Sequence, residues 1–225
     1  MSETIVSDAA ERLATVREHI VRAAALAGRA PDAVTLIAVS KTIPAEGIVP
    51  LLDAGQRAFG ENRVQEAQAK WPALRERYDG VTLHLVGQLQ SNKAADAVAL
   101  FDAIHAIDRS SLVQALGKAL AASDRRPDCF LQVNIGDEPQ KGGCAIADLP
   151  ALLAEARGAG LPIVGLMAVP PADTEAAPYF ALLAKLAKDN GLGQLSMGMS
   201  GDYEIAAMLG ATHVRVGTAL FGART

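Results

Sequence analysis

The sequence predicts a single (β/α)₈ barrel with an extra N-terminal helix. Eight short apolar runs recur along the chain, helical patterns fall between them, and 225 residues, half of them apolar, suffice for one such core. An open doubly wound sheet is the alternative, but no Gly-x-Gly-x-x-Gly follows the first run to support nucleotide binding there.

Taken in order, Ile5, Ala9, Leu13, Val16, Ile20 and Ala23 recur at spacings of three and four, which places an amphipathic helix first, ended by Gly28 and Pro31. The eight apolar runs are 34–40, 57–60, 81–86, 101–107, 129–135, 163–169, 194–198 and 212–217. Helical patterns occupy 45–54, 62–77, 109–122, 146–158 and 175–190, with shorter ones at 91–98 and 202–209. No internal repeat, low-complexity tract or Pro/Ser-rich linker divides the chain, so residues 1–225 read as one domain.

Composition narrows the function classes. The 25 acidic and 21 basic side chains give a net charge of −4, and the basic ones are spread along the chain, which argues against nucleic acid as a partner. Cys129 and Cys144 are too few for a disulfide framework and form no Cys-x-x-Cys pair, so both read as reduced thiols of a cytoplasmic protein. The charged N-terminal segment lacks a signal-peptide core, and no stretch reaches the roughly 18 apolar residues of a membrane span.

In a barrel, chemistry sits at the C-terminal ends of the strands. Lys41 directly follows the first run, and Ile37, Val39 and Lys41 alternate onto one face, so its amine should lean over the barrel mouth. A lysine so placed is a Schiff-base nucleophile or, alternatively, a solvated loop residue. After runs seven and eight come small residues, Ser196-Met-Gly-Met-Ser-Gly201 and Gly217-Thr218, where glycines admit a phosphate and N–H groups and hydroxyls can bind it. Tight turns alone would also explain those glycines. Arg215 shares a strand face with His213 and Gly217; inward, its guanidinium needs a ligand or partner, and in the reverse register it would pair with an acid among the helices. His84, Gln132 and Asn134 fall at polar interior positions by the same alternation.

Together the segments AVSKT (38–42), GENRVQEA (60–67), HLVGQLQSNK (84–93), HAIDR (105–109), QVNIGDEPQKGG (132–143), GLMAVPP (165–171), LSMGMSGDYEIA (195–206) and THVRVGTALFG (212–222) resemble, in order and nearly end to end, the pyridoxal-phosphate homeostasis proteins. That family is related in fold to the barrel domain of alanine racemase. The resemblance implies pyridoxal 5′-phosphate as cofactor, joined to Lys41 as a Schiff base. It further implies phosphate contacts from Ser200, Gly217 and Thr218, Arg215 near the pyridine nitrogen, and Asn62 and Met197 beside the ring. The chain departs from the pattern at Arg63, where many members carry tyrosine, and at Gln88, and Lys141 acquires no role.

Racemisation, the enzymatic alternative, needs acid–base groups on both faces of the substrate adduct. In alanine racemase the second is a tyrosine from a C-terminal domain of the partner subunit. This sequence continues only to FGART after the eighth run, and of Tyr78, Tyr179 and Tyr203 only Tyr203 is near the phosphate turn, where it reads as a packing or capping residue. The expectation is therefore a monomeric carrier that stores pyridoxal phosphate and delivers it to apo-enzymes. A barrel enzyme acting on a phosphorylated sugar or acid would explain the same site residues but not the eight motifs.

Overall fold

The computed structural model describes residues 2–222, with side chains from Asp8 onward; Ile5 of the N-terminal stripe and the final Ala-Arg-Thr lie outside the described side chains and residues. Eight parallel strands close into a barrel in sequence order: β1 (Thr35–Val39), β2 (Ala58–Glu61), β3 (Thr82–Leu85), β4 (Ala103–Ile107), β5 (Asp128–Gln132), β6 (Ile163–Met167), β7 (Gln194–Ser196) and β8 (His213–Val216). β8 pairs with β1 from Thr35–His213 to Ala38–Val216, and this seam distinguishes a barrel from the open sheet.

Helices follow where the 3.6-residue patterns fall. α1 (Ser2–Leu26) buries Ala9, Leu13, Val16, Ile20 and Ala23 and ends where Gly28 turns left-handed at φ 68°, with the Arg29 N–H returning to the Ala24 carbonyl. The crossovers carry α2 (Ala45–Asp53), α3 (Val64–Arg77), α4 (Ala94–Leu100), α5 (Ser110–Ala121), α6 (Leu149–Gly158), α7 (Ala177–Asp189) and α8 (Tyr203–Met208), with a four-residue α9 (Thr218–Phe221) after β8. Two 3₁₀ turns, Ser91–Lys93 and Ile146–Asp148, lead into α4 and α6, so the patterns at 91–98 and 146–158 are each a tight turn followed by a helix. α1 packs on α2, α8 and α9, over the seam between β1 and β8.

Alternation sorts the strands into two shells. Leu36, Ala38, Phe59, Leu83, Leu85, Leu131, Leu166 and Val214 pack outward with Trp71, Phe101 and Phe180 in one apolar layer beneath the helices. Inside, Phe130 and Met167 share the barrel with His84, His105, Ser196 and Arg215, all buried. A polar barrel interior is stable only if its groups bond to one another, and these do.

β5 is shorter than its apolar run. Beyond Gln132 the chain leaves the sheet through one bridge, Val133–Cys144. Asn134, expected at an interior position, instead closes its own turn: Nδ2 donates to the Glu138 carbonyl at 2.8 Å and Oδ1 accepts from the Glu138 N–H at 3.1 Å. The local Asx-type turn outcompetes continued pairing.

Candidate functional site

A cleft of about 380 Å³ opens at the C-terminal end of the barrel between β1, β2, β3, β6 and the turns after β7 and β8. Val39, Val86 and Val169 form its apolar wall, and Lys41, Asn62, Ser200, Arg215, Gly217 and Thr218 supply polar groups, with Met199 and Gly201 completing the lining. Six of the seven residues singled out in the sequence therefore meet here. The seventh, Met197, does not: it is fully buried in the layer beneath the helices, its N–H bonded to the His213 carbonyl at 3.1 Å. Alternation along β7 explains it, because Ser196 points inward and the next residue must point out. Met199, two residues on and 39% exposed, is the methionine on the cleft.

Lys41 stands on a turn. The Ile43 N–H closes onto the Ser40 carbonyl at 3.1 Å, and Thr42 between them is left-handed at φ 65°, unusual for a β-branched residue. Among the described residues the Lys41 amine makes no hydrogen bond or ion pair, so it is free toward the cleft. Behind the turn, Glu61 and Lys70 form a buried ion pair at 2.8 Å.

The turn after β7 is shaped by Asp202, whose Oδ1 accepts from the Met199 N–H, and by Gly198 at φ 90°, where an added Cβ would lie 2.5 Å from that of Ala206. This brings the Ser200 hydroxyl to the start of α9, within 3.3 Å of the Gly217 N–H and 3.5 Å of the Ala219 N–H. Two amides and a hydroxyl thus converge at one edge of the cleft, an arrangement that suits an anion. Opposite, Gly87 touches the Asn62 backbone so closely that an added Cβ would stand 2.4 Å from its carbonyl oxygen.

Arg215 is inward-facing. It donates to Ser196 Oγ at 2.7 Å and to the Ala168 carbonyl at 3.0 Å, and among the described residues it forms no ion pair, the Asp202 carboxylate acting on it only through space. Burial lowers its pKa to about 10, so it remains a cation at neutral pH. Ser196 Oγ also lies 2.8 Å from His105 Nδ1, and His105 Nε2 lies 3.0 Å from His84 Nδ1. His105 stacks on Phe130 at 4.2 Å between ring centres, and the His213 ring lies 5.8 Å from those of both other histidines. Burial first, then neighbouring positive charge, lowers His84 to about 3 and His213 to about 4 and holds His105 well below its ordinary value. All three are neutral imidazoles at physiological pH.

His105 had no place among the site residues read from sequence, although FDAIHAI alternates Ala103 and His105 onto one face and that alternation was its signal. Gln132 bonds to Gln88 at 2.7 Å and to the Gly142 carbonyl at 3.0 Å, tying the 136–143 loop to the rim. Lys141 pairs with Glu138 and donates to the Pro170 carbonyl at 2.8 Å. Tyr203 packs against α1, its hydroxyl 3.1 Å from His19 Nδ1, and does not line the cleft.

Comparison with known proteins adds a lineage. The family model for the N-terminal domain of alanine racemase matches residues 12–225. The chain is 40% identical over 229 residues to the pyridoxal phosphate homeostasis protein of Escherichia coli K12, covering 97% of this chain and 98% of that one. With the protein of the same description from Pseudomonas aeruginosa PAO1 it is 42% identical over 225 residues, 97% of each chain. PipY of Synechococcus elongatus PCC7942, solved with PLP bound, superposes with a TM-score of 0.82 at 41% identity, over 95% of this chain and 100% of that one. Alanine racemase of Corynebacterium glutamicum, at 17% identity and a TM-score of 0.65 over 97% of this chain and 62% of its own, shares the barrel fold.

Proposed function

The chain belongs to the pyridoxal phosphate homeostasis proteins, with the barrel of the alanine racemase N-terminal domain, and from that membership we propose that it binds pyridoxal 5′-phosphate covalently on Lys41 and stores and delivers it without turnover. The observation that carries the reading is the convergence on one cleft of a free lysine amine, an anion-suited turn and a buried cationic arginine.

The residues present fit the group. At Gly217 an added Cβ would meet nothing closer than the Val39 carbonyl oxygen at 3.4 Å, and at Gly201 nothing within 4 Å, so packing demands a glycine at neither place and both leave room on the cleft. The cleft volume is that of a small-molecule site, ~300–1,000 Å³. When bound, pyridoxal phosphate supplies an aldehyde and a pyridine ring able to accept electrons. Lys41, whose amine is without a partner at the mouth, would be the residue to hold the cofactor covalently through its aldehyde. Ser200, Gly217 and Thr218 hold the phosphate through the hydroxyls and N–H groups at the start of α9. Val39, Val86 and Val169 would give the ring an apolar wall, and Asn62 a polar neighbour. Arg215 would offer the pyridine ring a donor-only group, which would disfavour ring protonation and so weaken the electron sink.

Storage rather than catalysis is favoured because, among the described residues, Lys41 and Arg215 are the only titratable side chains lining the cleft. Racemisation requires a second acid–base group on the opposite face. The reading extends to one cytoplasmic domain acting as a monomer, with PLP-dependent apo-enzymes as recipients; among the described residues no helix is long and apolar enough to cross a membrane.

The test is to incubate the loaded protein with L-alanine and other L-amino acids and to assay the D-enantiomers. No turnover above that of free cofactor is expected. Turnover abolished by Lys41→Ala would overturn the carrier reading in favour of a racemase.

A further inference from the structure

The turn that carries Lys41 is gripped from behind by α3. The Lys70 ammonium donates to the Ser40 carbonyl at 2.9 Å and to the Ile43 carbonyl at 3.0 Å, one on each side of Lys41 and Thr42. It is held there by two carboxylates, Glu61 Oε1 at 2.8 Å and Glu66 Oε1 at 3.0 Å. Glu66 Oε1 also accepts the Thr42 N–H at 2.6 Å. Glu61 Oε1 is fixed in turn by the Ser40 hydroxyl at 2.6 Å and the Trp71 indole N–H at 2.9 Å.

We propose that Glu61, Glu66 and Lys70 are positioning residues for covalent capture, locking the 40–43 turn so that Lys41 meets the aldehyde carbon of a cofactor already seated by its phosphate. The inference rests on the covalent role of Lys41. Two facts separate this network from ordinary stabilisation. It bonds the backbone on both sides of Lys41 and none of the cleft's other lining residues, and it holds Thr42 left-handed, a conformation that a β-branched residue leaves when nothing opposes it. Lys70 is also a charge on the buried stripe of α3, in line with Val64, Ala67 and Leu74. A buried ion pair adds little net stability over apolar packing, so its use as a register device for the turn is a physical reason for it to be there.

The decisive variant is Glu66→Ala, which removes the acceptor of the Thr42 N–H and leaves the Glu61–Lys70 pair in place. Two ligands are compared: pyridoxal phosphate, which can be captured covalently, and pyridoxine 5′-phosphate, which carries an alcohol in place of the aldehyde and reports docking alone. Affinity for pyridoxal phosphate and the borohydride-trapped yield on Lys41 should fall about tenfold, the scale of one released left-handed residue. Affinity for pyridoxine 5′-phosphate should not change. Adding Thr42→Gly to Glu66→Ala should recover most of the loss, because glycine adopts positive φ without strain. Glu61→Gln with Lys70→Met, which removes both buried charges together, should show the same divergence between the two ligands.

Equal loss of both ligands would make the network merely structural, and unchanged capture would make it irrelevant; either overturns the proposal. If wild-type protein is not trapped at Lys41 at all, the function assigned to Lys41 fails first, a result read before any variant is made.

Discussion

Ser196 shows how a single side chain couples the barrel interior to the cleft. Its hydroxyl accepts from Arg215, which lines the cleft, and contacts His105, which does not. With His105 neutral, the Ser196 proton can point to Nδ1 while its lone pairs face the guanidinium, so one hydroxyl satisfies two buried neighbours. Ser196→Ala removes the partner that both share and leaves a buried Arg215 donor and the His105 Nδ1 acceptor unmet, which should cost about 1–3 kcal/mol for each. A urea midpoint checks that cost. Because Arg215 also loses the group that aims it, the absorbance band of the bound cofactor should shift in the same variant, whereas a purely stabilising serine would leave the spectrum unchanged.

Among the elements, β1 and β8 position Lys41 and Arg215, and the turns after β7 and β8 form the anion edge. These were legible in the sequence because alternation and strand-end position are local signals, and Ile37, Val39 and Lys41 display both. Asn134 was misplaced because alternation holds only while a strand lasts and β5 ends early, whereas Met197 was placed by the family resemblance against its own alternation, which turns it outward after Ser196. The grip of α3 on the Lys41 turn was hidden because it joins residues far apart in the chain. Its one trace was a lysine on a buried helical stripe. Gly87 is a second such junction, pressing on Asn62 across the ends of β2 and β3. Gly87→Ala should therefore push Asn62 from the cleft, costing about 1–3 kcal/mol of stability and weakening cofactor binding. Thermal unfolding and a cofactor titration test the pair of effects, and a loss of neither would show that the junction yields freely.

For the whole molecule, three of four histidines lie in the barrel interior, neutral, where their protonated forms are disfavoured by burial and by Arg215 and one another. Their native pKa values lie below the 6.5 of the unfolded chain, so as pH falls the unfolded state takes up protons that the native state refuses. Stability should be level above about pH 6.5 and decline below it, by up to ~1.4 kcal/mol per pH unit for each histidine. For His213 the decline ends near its native pKa of about 4, and for His84 near about 3. Urea midpoints taken from about pH 7 to about pH 5.5 measure this above the range where most carboxylates titrate, and a flat profile would contradict the neutral interior. A barrel so built keeps the Lys41 amine without a partner at its mouth and ties His84, His105, Ser196 and Arg215 to one another inside, which suits a protein that holds a reactive aldehyde. The most direct test is to add pyridoxal phosphate to the apo-protein, reduce with borohydride, digest and weigh the peptides. The cofactor mass should appear on Lys41 and be missing there in Lys41→Ala; an unmodified Lys41 in the reduced wild-type protein would contradict the account.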